Sequence, residues 1–171
     1  SPLAGFYVIG PTGDYASFNE ALNALITQGV SGPTTFDVQA GTYTEQLLIA
    51  PIPGSSSNNI VTFRSQSGNP DHVTLRHLTT SSSNYIIHFA GADYIRIESL
   101  TLESLSASYG RIITFSGGVD DVGIHNNILE TQPTSSNSTN LALIYAYDQY
   151  VRNLTITDNN LSVGSYGIYL S

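Results

Sequence analysis

The sequence predicts an all-β fold, a right-handed parallel β-helix (solenoid) with an N-terminal amphipathic capping helix and an incomplete last coil. Three observations lead there. Apolar-x-apolar triplets recur at Phe36-Asp37-Val38, Val61-Thr62-Phe63, Ile87-His88-Phe89, Ile113-Thr114-Phe115, Ile144-Tyr145-Ala146 and Ile168-Tyr169-Leu170, their first residues 25, 26, 26, 31 and 24 positions apart. Asn-Gly and Asp-Gly, the turn dipeptides that neighbouring hairpin strands favour, are both absent. Only one segment carries a helical stripe.

That segment is SFNEALNALITQG, in which Phe18, Ala21, Leu22, Leu25 and Ile26 fall on one face. Ser17 and Glu20 have capping-box spacing, and Gly29 suits the C-terminal stop. After it, a second column of strands is expected at Leu47/Ile49, Val73/Leu75, Ile95/Ile97, Val122/Ile124 and Leu154/Ile156. A third is expected at Leu100/Leu102, Ile128 and Leu161/Val163. Stacking like residues one coil apart places Phe63, Phe89 and Phe115 in one interior ladder and aligns Asn127 with Asn159 at a turn.

The loops PIPGSSSNN, TTSSSN, SLSASYG and TQPTSSNSTN are expected to decorate one edge of the solenoid. In VQAGTYTEQLLI, the residues from Gly41 to Gln46 form the corner between two columns, so Glu45 reads as a structural carboxylate that accepts backbone N–H bonds or meets a cation. The chain is expected to be one domain over residues 1–171, with the N-terminal strand and helix cap in 1–33 and about five and a half coils in 34–171. The helix covers one end of the stack. The other end, YGIYLS, carries no cover and is expected to continue the solenoid or to self-associate.

Composition excludes several functions. Thirteen acidic residues against five arginines, with a formal charge of −8, repel nucleic acid and anionic membrane surfaces. Membrane insertion is not expected, because no segment reaches the roughly 18 uninterrupted apolar residues of a spanning helix. With no cysteine, thiol catalysis and Cys-ligated zinc are excluded. Abundant Ser, Thr, Asn, Gly and Tyr suit a rigid β-protein exposed to solvent.

The candidate ligand or partner face comprises His88, Tyr145, Tyr147 and Tyr169, on the column of outward positions Asp37, Thr62, His88, Thr114, Tyr145 and Tyr169 with Arg64 beside it. Tyrosine rings offer flat amphipathic surfaces to sugars or to a protein partner. A second face is expected to hold Arg76, Arg96, Glu98 and His125. Glu98 and His125 there form a weaker acid–base alternative. Asp120 and Asp121, in SGGVDDVG, are a weak calcium candidate, since two adjacent carboxylates supply too few of the oxygens calcium needs. No other metal and no organic cofactor is expected.

Residues 5–75, including FYVIGPTGDYASFNEALNALITQGVSGPTTFDVQAGTYTEQLLI and NIVTFRSQSGNPDHVTL, resemble the N-terminal coils of the pectin lyase-like β-helix superfamily. The likeness is to large secreted or surface members from Bacteroidetes-type bacteria. It implies an extracellular or bacterial cell-surface setting and polysaccharide chemistry or adhesion. AGADYIRIESLTLE resembles an early coil of pectin methylesterases, yet the Gln-Asp-Thr and Asp-Phe-x-Phe-Gly motifs of those enzymes have no counterpart here. The expected function is therefore a non-catalytic structural or adhesive module that can assemble end to end. The alternatives are the N-terminal portion of a polysaccharide-active enzyme and a carbohydrate-binding module, with a polysaccharide or surface glycan as partner.

Overall fold

The structure, a computed structural model, describes residues 1–171. β1 (Leu3–Ile9) and α1 (Phe18–Gln28) precede five coils of three strands each. The first coil is β2 (Val30–Val38), β3 (Gly41–Thr44) and β4 (Leu47–Ile49), and the second is β5 (Val61–Ser65), β6 (Val73–His77) and β7 (Ile87–Ala90). The third is β8 (Ile95–Glu98), β9 (Thr101–Ser104) and β10 (Ile113–Ser116). The fourth is β11 (Val119–His125), β12 (Ile128–Glu130) and β13 (Ile144–Ala146), and the fifth is β14 (Val151–Thr157), β15 (Asn160–Ser162) and β16 (Ile168–Leu170). Each strand pairs in parallel with its counterparts one coil away. Sheet A runs β1-β2-β5-β8-β11-β14, sheet B runs β3-β6-β9-β12-β15, and sheet C runs β4-β7-β10-β13-β16. The expected parallel β-helix is what forms.

Period-two alternation explains which side chains enter the core. In β5, Val61, Phe63 and Ser65 are buried while Thr62 and Arg64 remain partly exposed. Parallel in-register pairing then lines up Phe36, Phe63, Ile97, Ile124 and Ile156 in sheet A. Tyr43, Leu75, Leu102, Leu129 and Leu161 align in sheet B. Leu47, Ile87, Ile113, Ile144 and Ile168 align in sheet C. Each fully buried aliphatic or aromatic side chain contributes about 1.5–3 kcal/mol by leaving water.

The columns differ from the sequence expectation in the first two coils. Phe36-Asp37-Val38 and Val61-Thr62-Phe63 belong to sheet A, beside Ile95 and Val122, not to the column of Ile87, Ile113, Ile144 and Ile168. Leu47 and Ile49 take that place in sheet C, and Val73 and Leu75 belong to sheet B. The cause is the position of the long connections. PIPGSSSNN lies between β4 and β5, joining sheet C to sheet A, whereas TTSSSN, SLSASYG and TQPTSSNSTN all join sheet B to sheet C. The insertions therefore occupy two edges, not one. The interior phenylalanines accordingly split into two stacks, Phe36 on Phe63 at 5.0 Å in sheet A and Phe89 on Phe115 at 5.5 Å in sheet C. Counting from β2, the strands complete five coils, and the strand outside that count is β1, not Ile168–Leu170.

α1 caps the first coil, and its first turn has a partner for each exposed amide. The Ser17 hydroxyl accepts from the Glu20 N–H at 3.1 Å, and the Glu20 carboxylate accepts from Ala16 N–H at 2.8 Å. Glu45, at the corner between β3 and β4, accepts from the Phe18 and Asn19 N–H groups at 3.0 Å each and from Asn19 Nδ2 at 2.8 Å. An anion at a helix N-terminus satisfies unpaired donors and opposes the helix dipole. The helix then packs Phe18 edge-on against Tyr43 at 5.3 Å. It stops at Gly29, whose φ of 71° and contact with the Pro53 carbonyl leave no place for a Cβ.

At the corner between sheets A and B, Asn127 donates to the Ile97 carbonyl at 2.9 Å and accepts from Leu100 N–H at 3.0 Å. Asn159 repeats the arrangement one coil on, accepting from Asn127 N–H at 2.9 Å and donating to the Ile124 carbonyl at 2.8 Å. The expected Asn127/Asn159 alignment thus holds, and it satisfies buried backbone groups where the chain turns.

Two variants separate cap from core. Glu45→Ala is expected to destabilise the protein by about 2 kcal/mol by orphaning two helix N–H groups, and Phe63→Ala by about 3–5 kcal/mol by opening a cavity in the stack. Thermal or urea unfolding followed by circular dichroism measures both; an unchanged Glu45→Ala midpoint contradicts the capping role.

Candidate functional site

The outward positions of sheet C form the floor of the principal concavity, a groove of about 450 Å³. In register, Leu48 neighbours His88, His88 neighbours Thr114, Thr114 neighbours Tyr145, and Tyr145 neighbours Tyr169. His88 is held on both ring nitrogens: Nδ1 lies 2.5 Å from the Thr114 hydroxyl and Nε2 lies 2.7 Å from the Ser116 hydroxyl. Its ring tilts against Tyr85 at 5.4 Å. Burial lowers its pKa from the ordinary 6.5, because the imidazolium loses solvation and gains no carboxylate. Further along, the Tyr145 and Tyr169 rings stack at 5.6 Å and 17°.

One margin of the groove is built by the connections that lead into sheet C. The Gln46 side-chain amide donates to the Ser83 and Tyr85 carbonyls at 2.9 Å each, fixing the loop before β7. Asn84 clasps the next two connections, donating to the Asn140 carbonyl at 2.9 Å and accepting from Arg111 N–H at 2.9 Å. Arg111 sends Nε to the Thr139 carbonyl at 3.0 Å and lays its guanidinium 3.5 Å from the centre of the Tyr145 ring. Parallel strands put residues preceding β10 and residues following β13 at opposite ends of the sheet. Tyr147 and Gln149 accordingly stand at the far margin, with Tyr147 57% exposed.

His88, Tyr145 and Tyr147 thus line one groove, and Tyr169 lies beside it on the next coil. Asp37, Thr62 and Arg64 lie on sheet A and share no face with them, because the strand register differs from that expected. Arg64 there pairs with Asp37 at 2.7 Å. The expected second face also divides: Arg76 is on sheet B, opposite Glu103, while Arg96, Glu98 and His125 are on sheet A. Glu98 and His125 are register neighbours, yet His125 turns Nδ1 to the Thr157 hydroxyl at 2.7 Å.

Asp120 and Asp121 sit within β11, not in a free turn. Asp120 receives Arg152 at 2.6 Å and Asn153 at 2.7 Å, and Asp121 receives Arg96 at 2.7 Å. Gly123 leaves the gap through which the Arg96 side chain crosses. Both carboxylates carry guanidinium partners where calcium would need them free.

Sequence reasoning missed Leu48, Asn84, Tyr85, Arg111 and Gln149 as groove residues. A signal for two of them existed. The apolar pairs Ile86-Ile87 and Ile112-Ile113 repeat before the floor positions His88 and Thr114, and the residue ahead of each pair is Tyr85 or Arg111. Asn84 and Gln149 lie in connections of unequal length, where no repeat marks them.

No model of a known family matches the sequence, and no curated protein sequence matches it. Two solved structures are similar. The pectin methylesterase from Aspergillus niger in deglycosylated form superposes with a TM-score of 0.58 at 21% identity, covering 91% of this chain and 51% of that one. The same enzyme in penultimately deglycosylated form gives a TM-score of 0.61 at 20% identity, with the same coverage. The chain spans about half the length of these structures. The likeness is one of fold, the parallel β-helix.

His88 gives the site a pH signature. A histidine with a lowered folded pKa contributes stability that is fully present above 6.5 and is lost as the pH falls from 6.5 through its folded value. The melting temperature of the wild type should therefore drop more steeply between about pH 7 and pH 5 than that of His88→Gln. Parallel melting series check this; superimposable curves refute it.

Proposed function

We propose that this chain is a carbohydrate-holding module of an extracellular or cell-surface β-helix, with a structural or adhesive role. The observation that carries the reading is the groove on sheet C. Its lining alternates hydroxyl and amide groups from Ser81, Ser82, Asn84, Tyr85, Thr114, Tyr145 and Gln149 with flat or apolar surface from Leu48 and Tyr147. Sugars present the same alternation, with hydroxyls at their edges and C–H faces that lie on aromatic rings. The groove is open to solvent rather than enclosed, which suits a chain better than a compact metabolite. Its lining contains no carboxylate, so the acid–base pair of glycoside hydrolysis has no counterpart within it.

A second reading has its own support. The similar structures are pectin methylesterases about twice as long as this chain. On that reading the coils described here are the N-terminal portion of a polysaccharide-active enzyme, whose reacting groups lie on further coils. Methylesterase assays on the natural full-length product decide between them. Methanol release from methylated pectin supports the enzyme, and its absence together with glycan binding supports the module.

The partner reading concerns β14, β15 and β16, the outermost strands of their sheets. Ile168 is 46% and Leu170 53% exposed, and Val151 and Leu154 beside them line a hollow of about 330 Å³. Continuation of the solenoid or a second copy of this chain would cover these side chains and pair the strand edges. Sedimentation of the described chain over a concentration series tests self-association. A rising mass is expected, and a constant monomer mass at high concentration rejects the second copy.

For the groove itself, Tyr145→Ala and Tyr147→Ala are each expected to weaken binding of an oligosaccharide found on a glycan array by about tenfold or more, with the melting temperature little changed. Unaltered binding in both variants removes the groove from the proposal.

A further inference from the structure

Arg111 gives the groove a charge that the protein does not use internally. Three of the five arginines are paired, Arg64 with Asp37, Arg96 with Asp121 and Arg152 with Asp120. Arg76 lies opposite Glu103 in register. Arg111 instead faces a groove whose lining holds no carboxylate. Its Nε is bound to the Thr139 carbonyl at 3.0 Å, its backbone N–H is bound to Asn84, and its guanidinium is 3.5 Å from the Tyr145 ring centre. These contacts hold the guanidinium against the Tyr145 side chain, and no carboxylate or backbone carbonyl of the protein receives its two Nη groups.

A fixed guanidinium with a free two-nitrogen edge matches two oxygens of one anionic group, in charge-assisted hydrogen bonds that are stronger than neutral ones. Burial disfavours this charge, and an arriving anion relieves the cost. The formal charge of −8 repels small free anions at long range. A ligand that gains from Arg111 must therefore also gain from the neutral groups around it. Asn84, Tyr85, Ser81 and Ser82 supply such groups within the same groove.

We propose that Arg111 makes this groove a site for acidic sugars, its Nη edge receiving the carboxylate or sulfate ester of one residue of a glycan chain. This rests on the groove being a carbohydrate site. Arg111 is then the residue that determines which glycans bind, and the tyrosines and amides hold any sugar of suitable shape.

The test is calorimetric titration of the whole chain with three matched oligosaccharides: neutral galactan, galacturonate and sulfated galactan. The wild type is expected to favour at least one acidic probe by about tenfold or more over the neutral one, and the preference should shrink as salt is raised. The favoured probe identifies whether carboxylate or sulfate is taken. Arg111→Gln should abolish the preference for acidic over neutral probes, and Arg111→Lys should keep only part of it because it lacks the fork. Equal wild-type affinity for acidic and neutral probes at low salt overturns the proposal, and so does a preference that survives in Arg111→Gln. Both wild-type measurements need no variant, so misfolding of Arg111→Gln does not shield the proposal. Neutral binding that depends on Tyr145 and Tyr147 without acidic preference leaves the groove reading standing and removes only Arg111. Failure of all three probes to bind overturns both.

Discussion

Everything in this molecule follows from parallel strands stacked in register, one coil above the last at about 4.8 Å. That spacing obliges residues at equivalent positions to touch, inside and outside. Inside, it produces Phe36 on Phe63 and Phe89 on Phe115. Outside, it produces Leu48, His88, Thr114, Tyr145 and Tyr169 in one row, each from a different coil. The groove floor is thus made by four strands from successive coils, with Tyr169 of the fifth beside it. His88, Thr114 and Tyr145 are each flanked on their own strand by two buried residues, which anchor the floor to the core.

How much of this was legible depends on which property each residue expresses. Alternating apolar positions marked the strands, and the stripe from Phe18 to Ile26 marked the helix, since both patterns are local. Assignment of Phe36 and Val61 to a column was not local. An apolar-x-apolar triplet fits any of three interior columns, and a spacing of 25 or 26 residues is preserved when an entire strand is misassigned. Only the location of the long connection settles the matter, and PIPGSSSNN sits at a different corner from the other three loops. His88, Tyr145 and Tyr169 could be grouped from sequence because each is the middle residue of an apolar-x-apolar triplet that begins with isoleucine. Arg111 escaped because its role comes from Thr139, Asn84 and Tyr145, contacts made across three connections of unequal length.

The three outer faces have divided the charges among them. Sheet A carries the Asp37–Arg64, Arg96–Asp121 and Asp120–Arg152 pairs, which bridge neighbouring coils and are each worth about 0.2–1 kcal/mol at a surface. Sheet B places Glu103 beside Glu130, and burial together with that neighbour pushes the Glu130 carboxyl above its ordinary range. Sheet C has neither arrangement; its floor is aliphatic at Leu48, then imidazole, hydroxyl and aromatic at His88, Thr114 and Tyr145. On sheet C the polar groups hydrogen-bond as neutral partners, His88 to Thr114 and Ser116, whereas on sheet A carboxylates and guanidinium groups neutralise one another. This contrast sets the groove on sheet C apart from the two other faces.

The groove and the helical cap are also mechanically joined, through two consecutive residues. Glu45 holds the first turn of α1, and Gln46 holds the loop of the groove wall through the Ser83 and Tyr85 carbonyls. Asn19, in that same helical turn, donates to both the Glu45 carboxylate and the Gln46 carbonyl. Loosening the helix N-terminus therefore frees the segment that positions Gln46, and with it the wall that places Tyr85 against His88. The corner VQAGTYTEQLLI links the capped end of the solenoid to the groove on sheet C, so a carboxylate that caps a helix also bears on the shape of that groove.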